Sequence, residues 1–273
     1  MIRSFASFLC WVVAVVAAVV TVPTLWVATH VASEDGFVAF TEPFVADAKL
    51  RNALITTMVD GAAESGTLPA IAKPAVETAL KSFATRASRQ DGFTEAWAES
   101  QRRTHRLTFG PDASTDRLTA DIGPIATFVV DEVTQDLPVR LSVPDELVVP
   151  IYEAPDRQVI EQVDKTPSRA LVGGLVVGLA SLLCLLFARR RINAVVGLAA
   201  GSLITAGVLY LGTGLAVPQV LDRTPAKSDF AREMRDLLVE RASDSLNEWL
   251  IWTALVGGVV FVLALLGRAL ART

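Results

Sequence analysis

Residues 4–33 contain no Asp, Glu, Lys or Arg, and an uncharged stretch of that length has few ways to fold. A helix rises about 1.5 Å per residue and a bilayer's hydrocarbon core is about 30 Å thick, so roughly 20 apolar residues suffice to cross it. Three further segments share this character, and the pattern predicts membrane-spanning helices over residues 5–28, 170–188, 192–217 and 249–267. The expected architecture is a mainly α membrane protein. Its four transmembrane helices carry an extracytoplasmic α-helical domain with a minor α+β part, inserted between the first and second spans at residues 29–169. Residues 218–248 are expected to form a second extracytoplasmic segment, a helix continuing into the last span.

Sidedness follows from the basic residues beside the spans, because Lys and Arg resist translocation while acidic residues contribute little. Arg3 precedes the first span, Arg189, Arg190 and Arg191 sit between the second and third, and Arg268 and Arg272 follow the fourth. With four alternating spans these three groups share one face, which is assigned to the cytoplasm together with both termini. Between His30 and Lys165 stand 22 acidic and 13 basic residues, a formal charge of −9. Such a surface repels nucleic acid and anionic lipid, so nucleic acid is not an expected partner.

The first span reads as an uncleaved anchor. A secretory h-region is shorter, about 7 to 15 residues, and ends in small residues, whereas this run is longer and exits through bulky His30. Cys10 and Cys184 both lie inside spans, so neither joins a disulfide framework or a cysteine metal site in the outer domain. That domain must fold by packing alone.

Its apolar spacing is mostly helical. Thr41, with Pro43 in the first turn, is the expected cap of a helix carrying Phe44, Ala48, Leu50, Leu54 and Met58 and ending at Gly61 and Gly66. A second helix is expected from near Pro69 or Pro74 to the Asp91-Gly92 break, and a third over residues 94–107 with Gly110-Pro111 as its stop. Polar and apolar residues then alternate over 117–122, Gly123-Pro124 starts a helix through Leu137, and residues 139–143 and 147–152 read as further strand. A last helix over 155–165 leads into the second span. In the second outer segment, Thr224-Pro225 marks a helix start, with Phe230, Met234, Leu237, Leu238 and Leu246 on one face. A helix from there through the fourth span would stand far out of the bilayer, so its apolar stripe is expected to pack against the large outer domain.

Within the spans, Gly174 and Gly178, Gly197 and Gly201, and Gly257 with Gly258 are spaced for close helix contact. No Asp, Glu, Lys, Arg or His lies mid-span, which argues against a proton-coupled carrier. Ser202, Thr205, Tyr210 and Thr213 make a polar track on the third span, read as back-bonding to the helix.

The outer domain offers one constellation. Trp97, Arg102, Arg103 and His105 fall on the third helix near Asp91, Glu95 and Glu99. His105 is a candidate base or ligand if a carboxylate meets it, and Arg102 a candidate partner. The structural account is a His bonded to a neighbouring loop while Trp97 packs inside. Arg86, Arg89, Arg102, Arg103 and Arg106 would hold a phosphate if they converged, or else form solvated helix faces paired with the nearby acids. No Gly-x-Ser-x-Gly elbow, Gly-rich phosphate loop or exported Ser-x-x-Lys pair is present, and no cofactor or metal is expected.

The order of anchor, Phe93-x3-Trp97-x7-His105 helix, Asp121-Ile122-Gly123-Pro124 turn and three-span block with an Arg hairpin resembles a group of actinobacterial four-span integral membrane proteins of unknown function. The resemblance implies a bacterial plasma-membrane setting with an envelope-facing domain, and it carries over no catalytic residues. Two function classes fit: a non-enzymatic envelope protein that docks a partner or its own copies, and a membrane-bound enzyme or lipid-handling and transport accessory whose site lies at the outer membrane surface.

Overall fold

The computed structural model describes residues 2–64, 71, 73–75, 77–78, 90–110, 117–134, 147–153, 157–223, 226 and 228–270. It is mostly helical, and four of its helices are long and apolar enough to cross a membrane. Two compact units divide the chain, one from Met1–Thr29, Val163–Val220 and Arg241–Thr273, the other from His30–Gln162 and Leu221–Glu240.

The first unit holds the long apolar helices α1 (Ile2–His30), α7 (Thr166–Phe187) and α8 (Arg191–Arg223), with the later part of α9 (Asp229–Leu270). Their contacts alternate in direction. Ser7 Oγ near the start of α1 donates to the Cys184 carbonyl near the end of α7 (2.9 Å), while Trp11 Nε1 donates to the Gly197 carbonyl early in α8 (2.7 Å). At the other end Trp26 Nε1 donates to Ser245 Oγ (3.2 Å), and Thr213 Oγ1 donates to Asn247 Oδ1 (3.1 Å). The beginnings of α1 and α8 and the ends of α7 and α9 therefore share one end of this unit, where Arg3, Arg189, Arg190, Arg191 and Arg268 stand. Outward faces stay apolar: Leu171, Leu175 and Leu179 are 69%, 65% and 58% exposed. Exposed leucines along a whole helix face suit lipid, since water-soluble monomers rarely show such continuous patches.

The glycine pairs behave differently from their spacing. A Cβ on Gly201 would lie 2.7 Å from Val15 Cγ2 and 3.0 Å from Trp11 Nε1, so this glycine does admit α1 against α8. Gly257 similarly admits Ser202. Gly174, Gly178 and Gly258 instead face open space, and on α7 it is Gly173 that meets Thr21. Spacing alone locates a stripe and leaves open which side a neighbour occupies. In the polar track, Ser202 and Thr213 do bond back to Ala199 and Tyr210 carbonyls (both 2.8 Å).

The second unit begins with α2 (Glu34–Thr41), a short helix absent from the expected elements. Ser33 caps it, its Oγ accepting from Gly36 N at 3.3 Å. Thr41, expected as a cap, closes α2 instead and returns its hydroxyl to the Phe37 carbonyl (2.9 Å). A 3-10 turn over Glu42–Ala46 follows, and α3 (Ala48–Glu64) starts under Asp47, whose Oδ1 accepts from Lys49 N and Leu50 N, each at 2.8 Å. The carboxylate satisfies two orphan donors where Thr41 would have satisfied one at best. Helix α3 also runs through Gly61 rather than ending there.

Helix α4 (Asp91–Phe109) begins at the Asp91-Gly92 break and stops at Gly110. Gly92 makes room for α5 (Gly123–Thr134): a Cβ there would lie 2.8 Å from the Phe128 ring, which meets Phe93 edge-on at 5.8 Å. Strands β1 (Arg117–Asp121) and β2 (Val148–Glu153) pair antiparallel, Arg117 opposite Glu153 and Asp121 opposite Val148. The register slips between Leu118 and Thr119, beside Pro150, which has no N–H to offer the ladder. A short α6 (Arg157–Asp164) ends the segment. The expected strand at 139–143 and most of the helix before Asp91 lie outside the described residues.

Phe44, Leu50, Leu54, Phe93, Trp97, Ala120, Ile122, Ile125 and Val129 form one core, completed by Phe230 and Met234 from the start of α9. The expected apolar stripe after Pro225 thus has its partner. The helix itself starts at Asp229, where Ser228 Oγ accepts from Ala231 N (3.1 Å).

Candidate functional site

The residues singled out by sequence lie on α4, which divides by chemistry along its length. Phe93, Trp97, Ser100, Gln101, Thr104 and His105 are spaced three and four apart and all are buried. Glu95, Arg102, Arg103 and Arg106 fall between them and reach solvent.

On the buried face Trp97, Ser100, Thr104 and His105 each have a structural partner. Trp97 Nε1 donates to the Thr41 carbonyl at 3.1 Å, tying α4 to the end of α2. Ser100 Oγ donates to the Asp121 carbonyl, Asp121 N donates to Thr104 Oγ1 (3.0 Å), and Asp121 Oδ1 accepts from Gly123 N (2.8 Å). Two hydroxyls one helical turn apart therefore hold both backbone groups of Asp121 at the point where β1 becomes α5. Buried backbone groups left without such partners are costly, which explains why hydroxyls occur on this otherwise apolar face.

His105 is 8% exposed, its ring centroid 5.7 Å from Phe37 and 4.8 Å from Phe109. Nε2 lies 3.1 Å from the Val31 carbonyl, and since a carbonyl only accepts, this nitrogen carries the hydrogen. Among the described residues no ion pair joins His105 to a carboxylate. The ring acts here as a donor that fastens the loop before α2 onto α4. His30 packs edge-on against Phe40, with centroids 5.9 Å apart.

The arginines converge on Glu99. Arg102 Nη1 lies 3.6 Å from Glu99 Oε2, Arg103 Nε donates to Glu99 Oε1 at 3.1 Å, and Arg106 Nη2 reaches the same oxygen at 3.4 Å. Arg106 also sits 4.0 Å from Glu34, and Arg103 lies 3.7 Å from the nearly buried Asp121 carboxylate. The hydrogen bond to Glu99 raises the Arg103 pKa above its ordinary value; partial burial opposes this, and the Asp121 charge adds to it. Exposed pairs of this kind contribute about 0–1 kcal/mol each, so the cluster is a surface network anchored at one end by Asp121. Arg86 and Arg89 lie outside the described residues.

His105 and Arg102, the two sequence candidates, therefore stand one turn apart on α4 with different surroundings, one buried against aromatics and the other paired in solvent. Among the described residues no group of three or more His, Cys, Asp or Glu is gathered as a metal site. The residues that sequence reasoning passed over are Ser100, Thr104 and Asp47. The available signal was the Asp121-Ile122-Gly123-Pro124 turn, since a strand ending directly in a helix needs nearby donors and acceptors. No family model, curated protein or solved structure matches the chain.

Proposed function

We propose that this chain is a four-span protein of a bacterial plasma membrane, of the actinobacterial group it resembles, acting as a non-enzymatic envelope interaction or scaffold protein. Both termini and the Arg189 to Arg191 turn face the cytoplasm, and the mixed α/β body faces outward. The observation that carries the reading is the use made of polar groups on α4: His105, Ser100 and Thr104 bond to the body's own backbone, and Arg102, Arg103 and Arg106 to its own acids. What such a body offers a partner is a shaped surface. The outer segment's net charge of −9 between His30 and Lys165 favours basic protein surfaces.

Two experiments test it. Crosslinking of the full chain in native membranes is expected to recover a reproducible protein partner or a homo-oligomer, and a lone monomer would count against the reading. In a deletion strain, a variant carrying His105→Ala with Arg102→Ala is expected to restore the phenotype fully. Failure of that variant despite normal abundance would favour instead a membrane-bound enzyme or lipid-handling accessory.

A further inference from the structure

At the arginine end of the first unit, α1, the end of α7 and the start of α8 line an open pocket of about 600 Å³. Ser4, Ser7, Phe8 and Trp11 line it from α1, Arg189, Arg190 and Asn193 from the turn into α8. Its shape follows from local packing. Gly201 admits α1 against α8, Trp11 is pinned by its bond to the Gly197 carbonyl, and Ser7 is held by the Cys184 carbonyl. Its lining thus combines aromatic and apolar groups with the guanidinium groups of Arg189 and Arg190.

The sequence around those charges is free of acidic residues. Residues 1–33, 165–221 and 249–273 contain no Asp or Glu, yet Arg3, Arg189, Arg190, Arg191, Arg268 and Arg272 flank these spans. Among the described residues no ion pair engages Arg189 or Arg190, in contrast to the arginines of α4. The start of the 33-residue α8 adds the positive end of a helix dipole at the same place. A pocket lined by aromatic, apolar and guanidinium groups at the end of apolar helices matches an amphiphile with an anionic head.

We propose that this pocket binds the phosphate-bearing headgroup of an anionic phospholipid, with Arg189 and Arg190 pairing the phosphate and Phe8 and Trp11 covering the glycerol and first acyl carbons. Its size falls in the range of small-molecule sites, about 300–1,000 Å³. The inference rests on the four helices standing in a bilayer and is independent of any partner of the outer body.

The test is lipid retention by the purified full chain in native mass spectrometry, with phosphatidylglycerol and phosphatidylcholine offered together. The wild type is expected to retain phosphatidylglycerol preferentially. Arg189→Gln with Arg190→Gln should weaken that retention roughly ten- to thirtyfold, from about 1 kcal/mol for each basic residue at the membrane surface. Arg268→Gln with Arg272→Gln removes equal charge that follows the fourth span in sequence and should change retention less than about twofold if the site is specific. Equal loss in both pairs would overturn the proposal in favour of a diffuse basic rim, as would absence of lipid preference. Displacement of the lipid by millimolar inorganic phosphate would overturn the lipid assignment. Release of the chain from membranes by alkaline carbonate would overturn the four-span reading itself, a result separable from loss of lipid binding.

Discussion

Phe230 belongs to the second polar segment, some 70 residues beyond Gln162 where the first segment's share of the body ends, yet it is 1% exposed within that body's core. Its ring belongs to the same buried cluster as Phe44, Leu50, Trp97, Ile122 and Met234. Phe230→Ala removes the ring and leaves a cavity that fixed helices cannot fully close, a loss of about 3–5 kcal/mol. The body comprises about 150 residues, for which each kcal/mol shifts the unfolding midpoint by roughly 2–4 °C. The expected drop is therefore about 6–20 °C. Trp97 is the body's one tryptophan and is 3% exposed, so its emission reports the transition directly in the full chain once the other four are replaced. Phe230→Leu retains most of the volume and should fall by only a few degrees, about 1.5 kcal/mol or less. Arg232→Ala, on the exposed face beside Asp229, is the control and should stay within about 0.5 kcal/mol of the wild type. A Phe230→Ala midpoint indistinguishable from that of Arg232→Ala would refute the claim that the two segments share one core.

Asp47→Ala removes the acceptor for Lys49 N and Leu50 N and should cost about 1 kcal/mol, read as a lowered midpoint in the same assay, while Thr41→Ser, which keeps the bond to Phe37, should be near neutral. Ser100→Ala takes away the donor to the buried Asp121 carbonyl, with an expected loss of about 1–3 kcal/mol; a neutral result would show that this carbonyl has another partner. In the first unit, Gly201→Leu must displace Val15 or Trp11 and is expected to cost about 1–3 kcal/mol and lower the yield of monodisperse protein on size exclusion. Gly174→Leu, facing open space, should leave that yield unchanged, and equal behaviour of the two variants would refute the packing assigned to Gly201.

Much of the fold was legible because its determinants are local. Gly110 and Gly123-Pro124 end and start helices through their own backbone preferences, the alternation at 117–121 reflects a strand's two faces, and 148–152 is a short apolar run. Thr41 misled because a hydroxyl beside Pro43 has the chemistry of a cap, and only the folding of α2 made it a terminus. Of the candidate site, the placement of Trp97 and His105 on one face followed from helical spacing. That His105 would donate to the Val31 carbonyl, 74 positions away, did not. Nor did the convergence of Arg102, Arg103 and Arg106 on Glu99 in place of a ligand.

Solvation is the part that the chain settles residue by residue. Uncharged runs such as 4–33 and the arginine placement between and beyond them follow from transfer free energies, which sum along the sequence without knowledge of neighbours. Four helices of spanning length are the consequence. Contacts between distant segments obey no such sum, because they depend on which faces meet. Tertiary structure alone decided that Gly201 would be filled by Trp11 and Val15 while Gly174 stayed open, that Phe230 would complete a core begun at Phe44, and that a pocket would form lined by Trp11 and by two arginines without ion pairs among the described residues.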